Sequence, residues 1–464
     1  MTSLDRINEY VNDVCQQIRW KKARSRISEE MTNHIIDGRD SYMAQGFDER
    51  AATEKALAET GGAAEIGAQL DRVHRPRPQW GMFAATAVLL TLGLLVGLLV
   101  FGDEVRTGLR LAYTGIGIAG MISAYFADFT IIGKHPKVIY FGVISLFIAV
   151  LLFSPTLNGK SYYAQYIILL LPLAFSAIVF AARNKGYLGI LLCESALVLS
   201  CCLSLYVPSI GSFLQLAVIG TALLGIAVYK NWFGTKRSYG FSLILSPGVL
   251  LAIAALINMT QNGWSRLAVA FNPYIDPNGA GYIGVIVREL LRGAAFFGKG
   301  TIPKGYISGL TEPSQVFYTD LILPHQMYYT DLLLTALISL FGWVAFAVIL
   351  SASLFFIVKG FMLCLKQKSS LGLFVSMAIM MTFCMQVISY IAFNLGFILV
   401  APVSLPFISY GSAATVINLV LVGFMLSVFR TGDAAADGKI LTAARLNRFI
   451  SWNDGTLTIN FKDQ

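Results

Sequence analysis

The stretch SLPFISYGSAATVINLVLVGFMLSVFR, from Ser404 to Arg430, places a polar knot directly before a hydrophobic run. The knot consists of Ser409, Tyr410, Gly411 and Ser412. The run after it is long and apolar enough to cross a bilayer as a helix, while Pro406 and Gly411 interrupt regular structure before it. Irregular backbone at membrane depth is tolerated only where protein or a water-filled cavity covers it. The stretch therefore predicts a membrane-spanning helix whose start borders an internal cavity.

The composition extends this prediction to the whole chain. Of its 464 residues, 56% are hydrophobic and only 13% are charged, and the mean hydropathy is +0.66. Soluble domains contain about 25% charged residues, so these values indicate a polytopic membrane protein. The net charge of +9 is typical of the basic cytoplasmic loops of membrane proteins. We predict no nucleic-acid partner.

About ten segments are long and apolar enough to span a membrane. They are residues 80–101, 109–127, 137–154, 164–182, 187–207, 210–229, 240–257, 332–358, 371–400 and 412–429. The short basic loops between them fall on one side, which predicts a plasma-membrane protein with both termini in the cytoplasm. No cleavable signal peptide is visible in the polar N-terminal region. The predicted fold class is all-α, with about ten transmembrane helices and a large extracellular loop between the seventh and eighth.

The chain is predicted to have three parts: a cytoplasmic helical domain at 1–76, a transmembrane domain at 77–430 with its outer loop at 258–330, and a cytoplasmic tail at 431–464. Apolar residues at helical spacing and a stop at Gly61-Gly62 indicate three or four helices in the first part. Its pattern resembles the helical prefix domain that precedes membrane domains in some permeases and sensors. The residues that carry this resemblance are Glu29, Glu30, His34, Gly46, Ala51, Ala56 and Gly61. A helical module that binds a partner is the preferred interpretation, and its ligand is left open.

Two motifs in the membrane half carry a second resemblance. LPFISYG, Leu405 to Gly411, is similar to the LPF-I/V-SYGGSS signature of the SEDS family (shape, elongation, division and sporulation), which includes FtsW, RodA and SpoVE. RLAVAFNPYIDPNGAGY, Arg266 to Tyr282, is similar to that family's R-L-x-x-F-x-(D/N)-P-x-x-D-P-x-G-x-G-Y, and Phe297 to Gly300 to its F-G-K-G. Ten spans with a large loop after the seventh match the family architecture.

The resemblance implies a peptidoglycan glycosyltransferase that polymerises lipid II into glycan strands at the outer face of the membrane, beside a class B penicillin-binding transpeptidase. Such a reaction needs a base near the attacking sugar hydroxyl and cations near the departing pyrophosphate. The family's essential aspartate precedes the eighth span, so the resemblance assigns catalysis to Asp331, with Asp320 as the runner-up. The alternative is that Asp331 is an acid at a helix start, stabilised by the helix dipole.

The resemblance also suggests further site residues. The candidate substrate-binding residues are Arg266, Lys299, Thr330, Ser409 and Tyr410. The residues expected to shape the loops are Pro273, Asp276, Pro277, Gly279, Gly281, Tyr282, Gly298, Gly300, Pro406 and Gly411. For Arg288, Arg292 and Lys304 we predict a solvated or lipid-headgroup role. No cofactor is firmly predicted, and Mg²⁺ or Mn²⁺ is the candidate divalent cation.

Departures from the family pattern keep two alternatives open. The family's G-E-E-L-G is replaced by ISLFG at 338–342, without either acid, and Y-Q-x-x-Q-S by YIGVIV at 282–287, without either glutamine. A transporter (flippase) of lipid-linked cell-wall precursors shares the polar cavity but needs no outer carboxylate. A non-catalytic scaffold for a cell-wall synthesis complex is consistent with the lost polar groups. The sequence does not distinguish a role in division, elongation or sporulation.

Overall fold

The computed structural model describes residues 2–74, 76, 78–101, 104–154, 156–157, 160–161, 163–207, 210–257, 261–301, 331–397, 403–409, 412–432, 450–453 and 456–459. The chain divides into two compact units, one built on Met1–Pro78 and the other on Gln79–Val428. The domain limits at 76 and 430 stay predictions.

The first unit consists of four helices: α1 (Ser3–Gln17), α2 (Lys21–Ala44), α3 (Glu49–Thr60) and α4 (Ala63–His74). The α1 helix begins with a reciprocal capping box between Thr2 and Asp5, which satisfies two otherwise unpaired amides. The α3 helix ends at Gly61, whose φ of 99° suits glycine. Apolar residues of α1, α2 and α3 form the core: Ile7, Val11, Cys15, Ile35 and Ala56.

The second unit contains the long apolar helices. Its first part comprises α5 (Trp80–Phe101), α6 (Glu104–Phe126), α7 (Thr130–Lys134), α8 (Pro136–Phe153), α9 (Ala164–Ile167), α10 (Leu171–Ala181), α11 (Gly186–Ser204), α12 (Ile210–Tyr229) and α13 (Arg237–Ile257). Its second part comprises α14 (Gln261–Phe271), α15 (Tyr282–Arg292), α16 (Leu333–Phe341), α17 (Trp343–Leu365), α18 (Ser370–Asn394) and α19 (Ser412–Thr431). Short 3₁₀ turns lie at Ile168–Leu170 and Pro273–Ile275.

Two small antiparallel hairpins accompany the helices. One pairs β1 (Thr156–Leu157) with β2 (Lys160–Ser161). The other pairs β3 (Ile450–Asn453) with β4 (Thr456–Ile459), with Ile450 opposite Ile459. They leave the architecture overwhelmingly helical, so the predicted all-α class is confirmed.

Within the described residues, eight helices are long and apolar enough to cross a membrane. They lie at Trp80–Leu99, Pro136–Phe153, Ala164–Ala181, Gly186–Ser204, Gly211–Tyr229, Trp343–Leu365, Ser370–Asn394 and Ala413–Thr431. Two further long helices, α6 and α13, occupy the predicted spans 109–127 and 240–257. Helix positions therefore follow the apolar pattern closely.

The predicted eighth span, 332–358, is wrong as a single helix. The structure divides it into α16 and α17 at Gly342, whose φ is 84° and ψ is 178°. A Cβ atom at this position would lie 2.5 Å from the main-chain oxygen of Phe296. Only glycine accommodates both the backbone conformation and this close approach, and hydropathy does not register such a break.

The α18 helix is central to the second unit. Its residues from Leu371 to Met380 are buried, and it packs against α10, α12 and α17. The Phe374 ring stacks on Trp232 with centroids 4.0 Å apart. A helix buried on nearly all sides is a rigid support, and the candidate site is built at its C-terminal end.

Candidate active site

The predicted catalytic residue, Asp331, is half-buried and lies two positions before the start of α16. Its main-chain oxygen accepts a hydrogen bond of 2.8 Å from Nδ2 of Asn394, the last residue of α18. The Asp331 carboxylate also interacts electrostatically with the buried Tyr390, one turn earlier on α18. The end of α18 therefore fixes the backbone of the candidate catalytic residue.

The same asparagine caps the start of α16. Oδ1 of Asn394 accepts hydrogen bonds from the Thr335 amide (2.9 Å) and the Thr335 hydroxyl (3.0 Å). Thr335 occupies the third helical position, whose amide lacks an intrahelical partner, while the N-cap residue, Leu332, makes no side-chain cap. Asn394 therefore supplies a side-chain cap to this end of α16 from another helix. The alternative, Asp331 as an acid stabilised by the helix dipole, stays a prediction.

The α15 helix packs beside Asp331. Val287 of α15, Leu332 and Phe393 form one buried apolar cluster. Next to it, Arg288 donates hydrogen bonds to the main-chain oxygens of Phe271 (2.8 Å) and Gly396 (3.5 Å). The guanidinium thus joins the ends of α14 and α18. Arg288 is half-buried and already paired with two carbonyl groups. Its solvated or lipid-headgroup role stays a prediction.

The F-G-K-G segment lies along the break between α16 and α17. Gly298 and Gly300 donate main-chain hydrogen bonds to Phe341 (3.2 Å) and Ser339 (2.9 Å). In return, the Trp343 amide donates to Ala295 at 3.1 Å. Lys299 is held between the two glycines with its side chain exposed. The fold therefore brings a predicted cationic site residue to the helix that follows Asp331.

The N-P-Y-I-D-P-N-G-A-G-Y segment forms a compact turn before α15. Asp276 Oδ2 accepts a hydrogen bond of 2.9 Å from the Ala280 amide. A Cβ atom at Gly279 would collide with the Asp276 carboxylate, and one at Gly281 with the main-chain oxygen of Pro273. These contacts account for the glycines as close-approach positions. Pro277 is half-buried and Tyr282 begins α15.

A polar group closes this turn onto α15. Tyr274 donates a hydrogen bond of 2.6 Å to Glu289 Oε1, which also accepts one of 2.8 Å from Arg292 Nη1. Glu289 is buried, and the Arg292 guanidinium lies over the Tyr274 ring, 5.4 Å from its centroid. Burial first, then the hydrogen bond to Glu289 and its charge, raise the pKa of Tyr274. Arg292 is thus anchored within the protein, although two thirds of its side chain is exposed.

The L-P-F-I-S part of the opening stretch is a buried turn. The Ser409 hydroxyl accepts a hydrogen bond from the Leu405 amide (2.9 Å) and donates one to the Leu405 oxygen (3.2 Å). Phe407 adopts a φ of 67°, a left-handed conformation that is strained for a side-chain-bearing residue. Pro406 is buried beside it. The Ser409 hydroxyl is engaged in holding the turn, and its role in substrate binding stays a prediction.

Neighbouring helices hold this turn from two sides. Arg110 of α6 donates a hydrogen bond of 2.6 Å to the Ile408 oxygen. Gln386 of α18 accepts one of 3.2 Å from the Ser404 hydroxyl and pairs with Asn418 of α19. Gln386 and Asn394 are separated by about 12 Å along α18, at about 1.5 Å per residue. One helix therefore supports both the L-P-F-I-S turn and the Asp331 backbone.

Several predicted residues lie outside the described part of the chain: Lys304, Asp320, Thr330, Tyr410 and Gly411. Arg266 is exposed on α14. Among the described residues, no group of three His, Cys, Asp or Glu side chains is placed to hold a metal ion. The divalent cation stays a prediction.

The sequence reasoning missed Asn394, Arg110 and the contacts of Glu289. Asn394 falls within the predicted span 371–400 and Arg110 within 109–127. Polar or charged residues inside apolar runs are costly and mark functional or structural contacts. That signal was available for both residues. Their partners, however, are distant in sequence: Ile408 is nearly 300 positions from Arg110, and Asp331 is over 60 positions from Asn394.

The bundle of apolar helices, the carboxylate before a broken helix and the turn before the last span define a polytopic helical membrane protein with a polar candidate site. The sequence profile of the cell cycle protein family, named for FtsW, RodA and SpoVE, matches residues 81–433. The chain belongs to this family, a family of multi-pass membrane proteins of cell-wall (peptidoglycan) synthesis. The resemblance to the SEDS family found in the sequence is confirmed.

Two curated relatives carry the description "probable peptidoglycan glycosyltransferase FtsW". The one from Geobacter sp. (strain M18) is 27% identical over 203 residues, 42% of this chain and 49% of the relative. The one from Trichlorobacter lovleyi is 23% identical over 229 residues, 48% and 52% respectively. The chain thus spans about half the length of the curated relatives it matches.

Solved structures share the fold. A chain from a peptidoglycan synthase complex that coordinates polymerization and crosslinking superposes with a TM-score of 0.57 at 20% identity, over 76% of this chain and 98% of that one. The rod shape determining protein RodA of Thermus thermophilus gives a TM-score of 0.52 at 16% identity, over 76% and 97%. At these identities the likeness establishes the fold.

Proposed function

We propose that this protein is a peptidoglycan glycosyltransferase that polymerises lipid II at the outer face of the bacterial plasma membrane. The observation that carries the proposal is the placement of Asp331, a half-buried carboxylate whose backbone is clamped by Asn394 at the start of α16. A carboxylate at such a boundary is positioned to act as a general base. Family membership and the descriptions of the two curated relatives support the reaction class.

In the proposed step, the hydroxyl of one sugar attacks the anomeric carbon of the lipid-linked sugar. Asp331 accepts the hydroxyl proton as the new glycosidic bond forms. The bond from the anomeric carbon to the pyrophosphate oxygen breaks, and the lipid diphosphate leaves with the electron pair. Arg266 and Lys299, both exposed in the 258–330 segment, are the proposed cations for the leaving diphosphate.

The proposed partner is a class B penicillin-binding transpeptidase, and the proposed orientation places both termini in the cytoplasm. The structural neighbour from a peptidoglycan synthase complex supports the idea of a shared assembly for polymerisation and crosslinking. The basic loops between the spans support the orientation.

The test is polymerisation of lipid II by the purified full chain, alone and with its transpeptidase. Asp331→Asn is expected to abolish polymer, and Asp320→Asn to leave it, while both proteins keep the wild-type melting temperature. Normal polymer from Asp331→Asn, together with loss in Asp320→Asn, transfers the role of base to Asp320. A third outcome favours the transporter: the wild type makes no polymer, and the double variant Asp331→Asn/Asp320→Asn still moves labelled lipid II across the membrane of proteoliposomes.

A further inference from the structure

The charges of the first unit are divided unevenly along its sequence. Residues 19–26 and 71–77, here called the basic end, contain eight Lys or Arg and a single acid, Asp71. The remainder of residues 1–78 contains four Lys or Arg and twelve Asp or Glu. The first unit, near-neutral in total, therefore carries most of its positive charge in two short segments.

The fold brings the two basic segments together. The Arg19 amide donates a hydrogen bond of 2.8 Å to Asp71 Oδ1, which joins the α1–α2 turn to the end of α4. Ile18, Trp20 and Leu70 pack in one apolar cluster under this turn. Arg24 Nε donates to the Ile18 oxygen at 2.8 Å. The described part of the basic end is thus one built surface.

This surface combines charge with exposed apolar groups. Lys21 and Arg72 are exposed, three quarters of the Arg19 side chain is accessible, and Val73 is 69% exposed beside them. The chain then runs through R-P-R-P-Q to Trp80, which is 74% exposed and begins the first apolar helix. Basic residues next to a membrane helix are attracted to anionic headgroups, and tryptophan is typical of the interface.

We propose that the described surface of the basic end, formed by Arg19, Lys21, Arg72 and Val73, binds anionic phospholipid headgroups. Headgroup phosphates complement Arg19, Lys21 and Arg72, and Val73 enters the interfacial layer. The same headgroups repel the twelve acids in the remainder of residues 1–78. This interaction is independent of the proposed glycosyltransferase activity.

The test uses the full chain in nanodiscs made of phosphatidylcholine, with or without phosphatidylglycerol. Hydrogen exchange of the amides in 16–24 is expected to be slower in the anionic discs, and about 0.5 M NaCl removes the difference by screening. The double variant Lys21→Glu/Arg72→Glu loses the protection, since each basic residue contributes about fivefold to the affinity for an anionic surface.

The matched control is Arg50→Glu/Lys55→Glu, which makes the same charge change on α3 and is expected to keep the protection. Inorganic phosphate added to phosphatidylcholine discs is expected to give no protection from hydrogen exchange. Protection by inorganic phosphate without anionic lipid overturns the assignment to lipid. Equal exchange in neutral and anionic discs overturns the proposal and favours an acidic protein as the occupant. Equal loss in both double variants also overturns it, because net charge alone then accounts for the effect.

Discussion

Asn394 holds the main chain of Asp331 with a 2.8 Å hydrogen bond and caps the helix that follows Asp331 through Thr335. Its side-chain amide also donates to the main-chain oxygen of Tyr390 at 2.9 Å, so both its oxygen and its nitrogen have partners. A single buried side chain therefore links the end of α18, the candidate base and the start of α16. We regard Asn394 as the principal positioning residue of the candidate site.

Replacing Asn394 by alanine is expected to lower both stability and rate. The buried amide of Thr335 loses its acceptor, at a cost of about 1–3 kcal/mol in the free energy of unfolding. The displaced Asp331 backbone is expected to lower kcat by about 10²-fold, with KM little changed, because positioning acts on the reacting groups. The measurements are a thermal melt and lipid II polymerisation per folded molecule.

The control for Asn394→Ala is Tyr140→Phe. The Tyr140 hydroxyl is also buried and bonds to Ser200 at 2.8 Å, between α8 and α11. Its loss is expected to lower the melting temperature without changing kcat. A fall in kcat in proportion to the melting temperature in both variants contradicts the positioning role.

Gly342→Ala is expected to destabilise the protein by about 3 kcal/mol or more. The φ of 84° and ψ of 178° at this position belong to a region that is essentially restricted to glycine. The added Cβ also lies 2.5 Å from the oxygen of Phe296, the residue directly before the F-G-K-G segment.

The comparison is Gly298→Ala, where φ is 75° but no atom lies within 4 Å of the added Cβ. Chemical or thermal unfolding in detergent is expected to show the smaller loss, about 1–2 kcal/mol, for Gly298→Ala; equal losses contradict the close-contact argument.

The Tyr274–Glu289 pair predicts a pH dependence of stability at alkaline pH. Because burial, and then Glu289, raise the pKa of Tyr274 above its ordinary value of 10.0, the folded protein retains the phenol proton longer than the unfolded chain. The stability from this proton is complete below the unfolded pKa and is lost as the pH rises through the folded value.

Glu289→Gln removes the acidic partner and keeps a hydrogen-bond acceptor, so the decline of melting temperature above pH 10.0 is expected to become shallower. Tyr274→Phe is expected to remove the contribution of this phenol altogether. An unchanged alkaline decline in Tyr274→Phe shows that other groups determine it.

The sequence was sufficient for the positions of most helices, and insufficient for the contacts that hold Asp331. Apolar runs specify long helices because bilayer thickness and backbone hydrogen bonding leave few alternatives. The motifs located Lys299 and the L-P-F-I-S turn, since glycine and proline report local geometry. The roles of Asn394 and Arg110 depend on partners far apart in sequence, and hydropathy carries no information on such pairings. The break at Gly342 was missed for a related reason, because the oxygen that approaches it belongs to a distant segment.

Gly93→Ala is expected to disturb the L-P-F-I-S turn from α5. A Cβ atom at Gly93 would collide with the Phe407 main-chain oxygen and lie 3.1 Å from Nη2 of Arg110. Both neighbours belong to the turn and its clamp, so the backbone of Phe407 must shift. We expect a loss of about 1–3 kcal/mol in the free energy of unfolding, as for overpacked cores, and a fall in polymerisation.

The matched control is Gly115→Ala in α6, a membrane-helix glycine with no atom within 4 Å of the added Cβ. It is expected to leave both properties unchanged or to stabilise slightly, since alanine is the better helix former. Melting curves and polymer yields of the two variants, measured side by side, decide the matter: equal behaviour contradicts a contact between α5 and the turn, whereas loss in Gly93→Ala alone supports it.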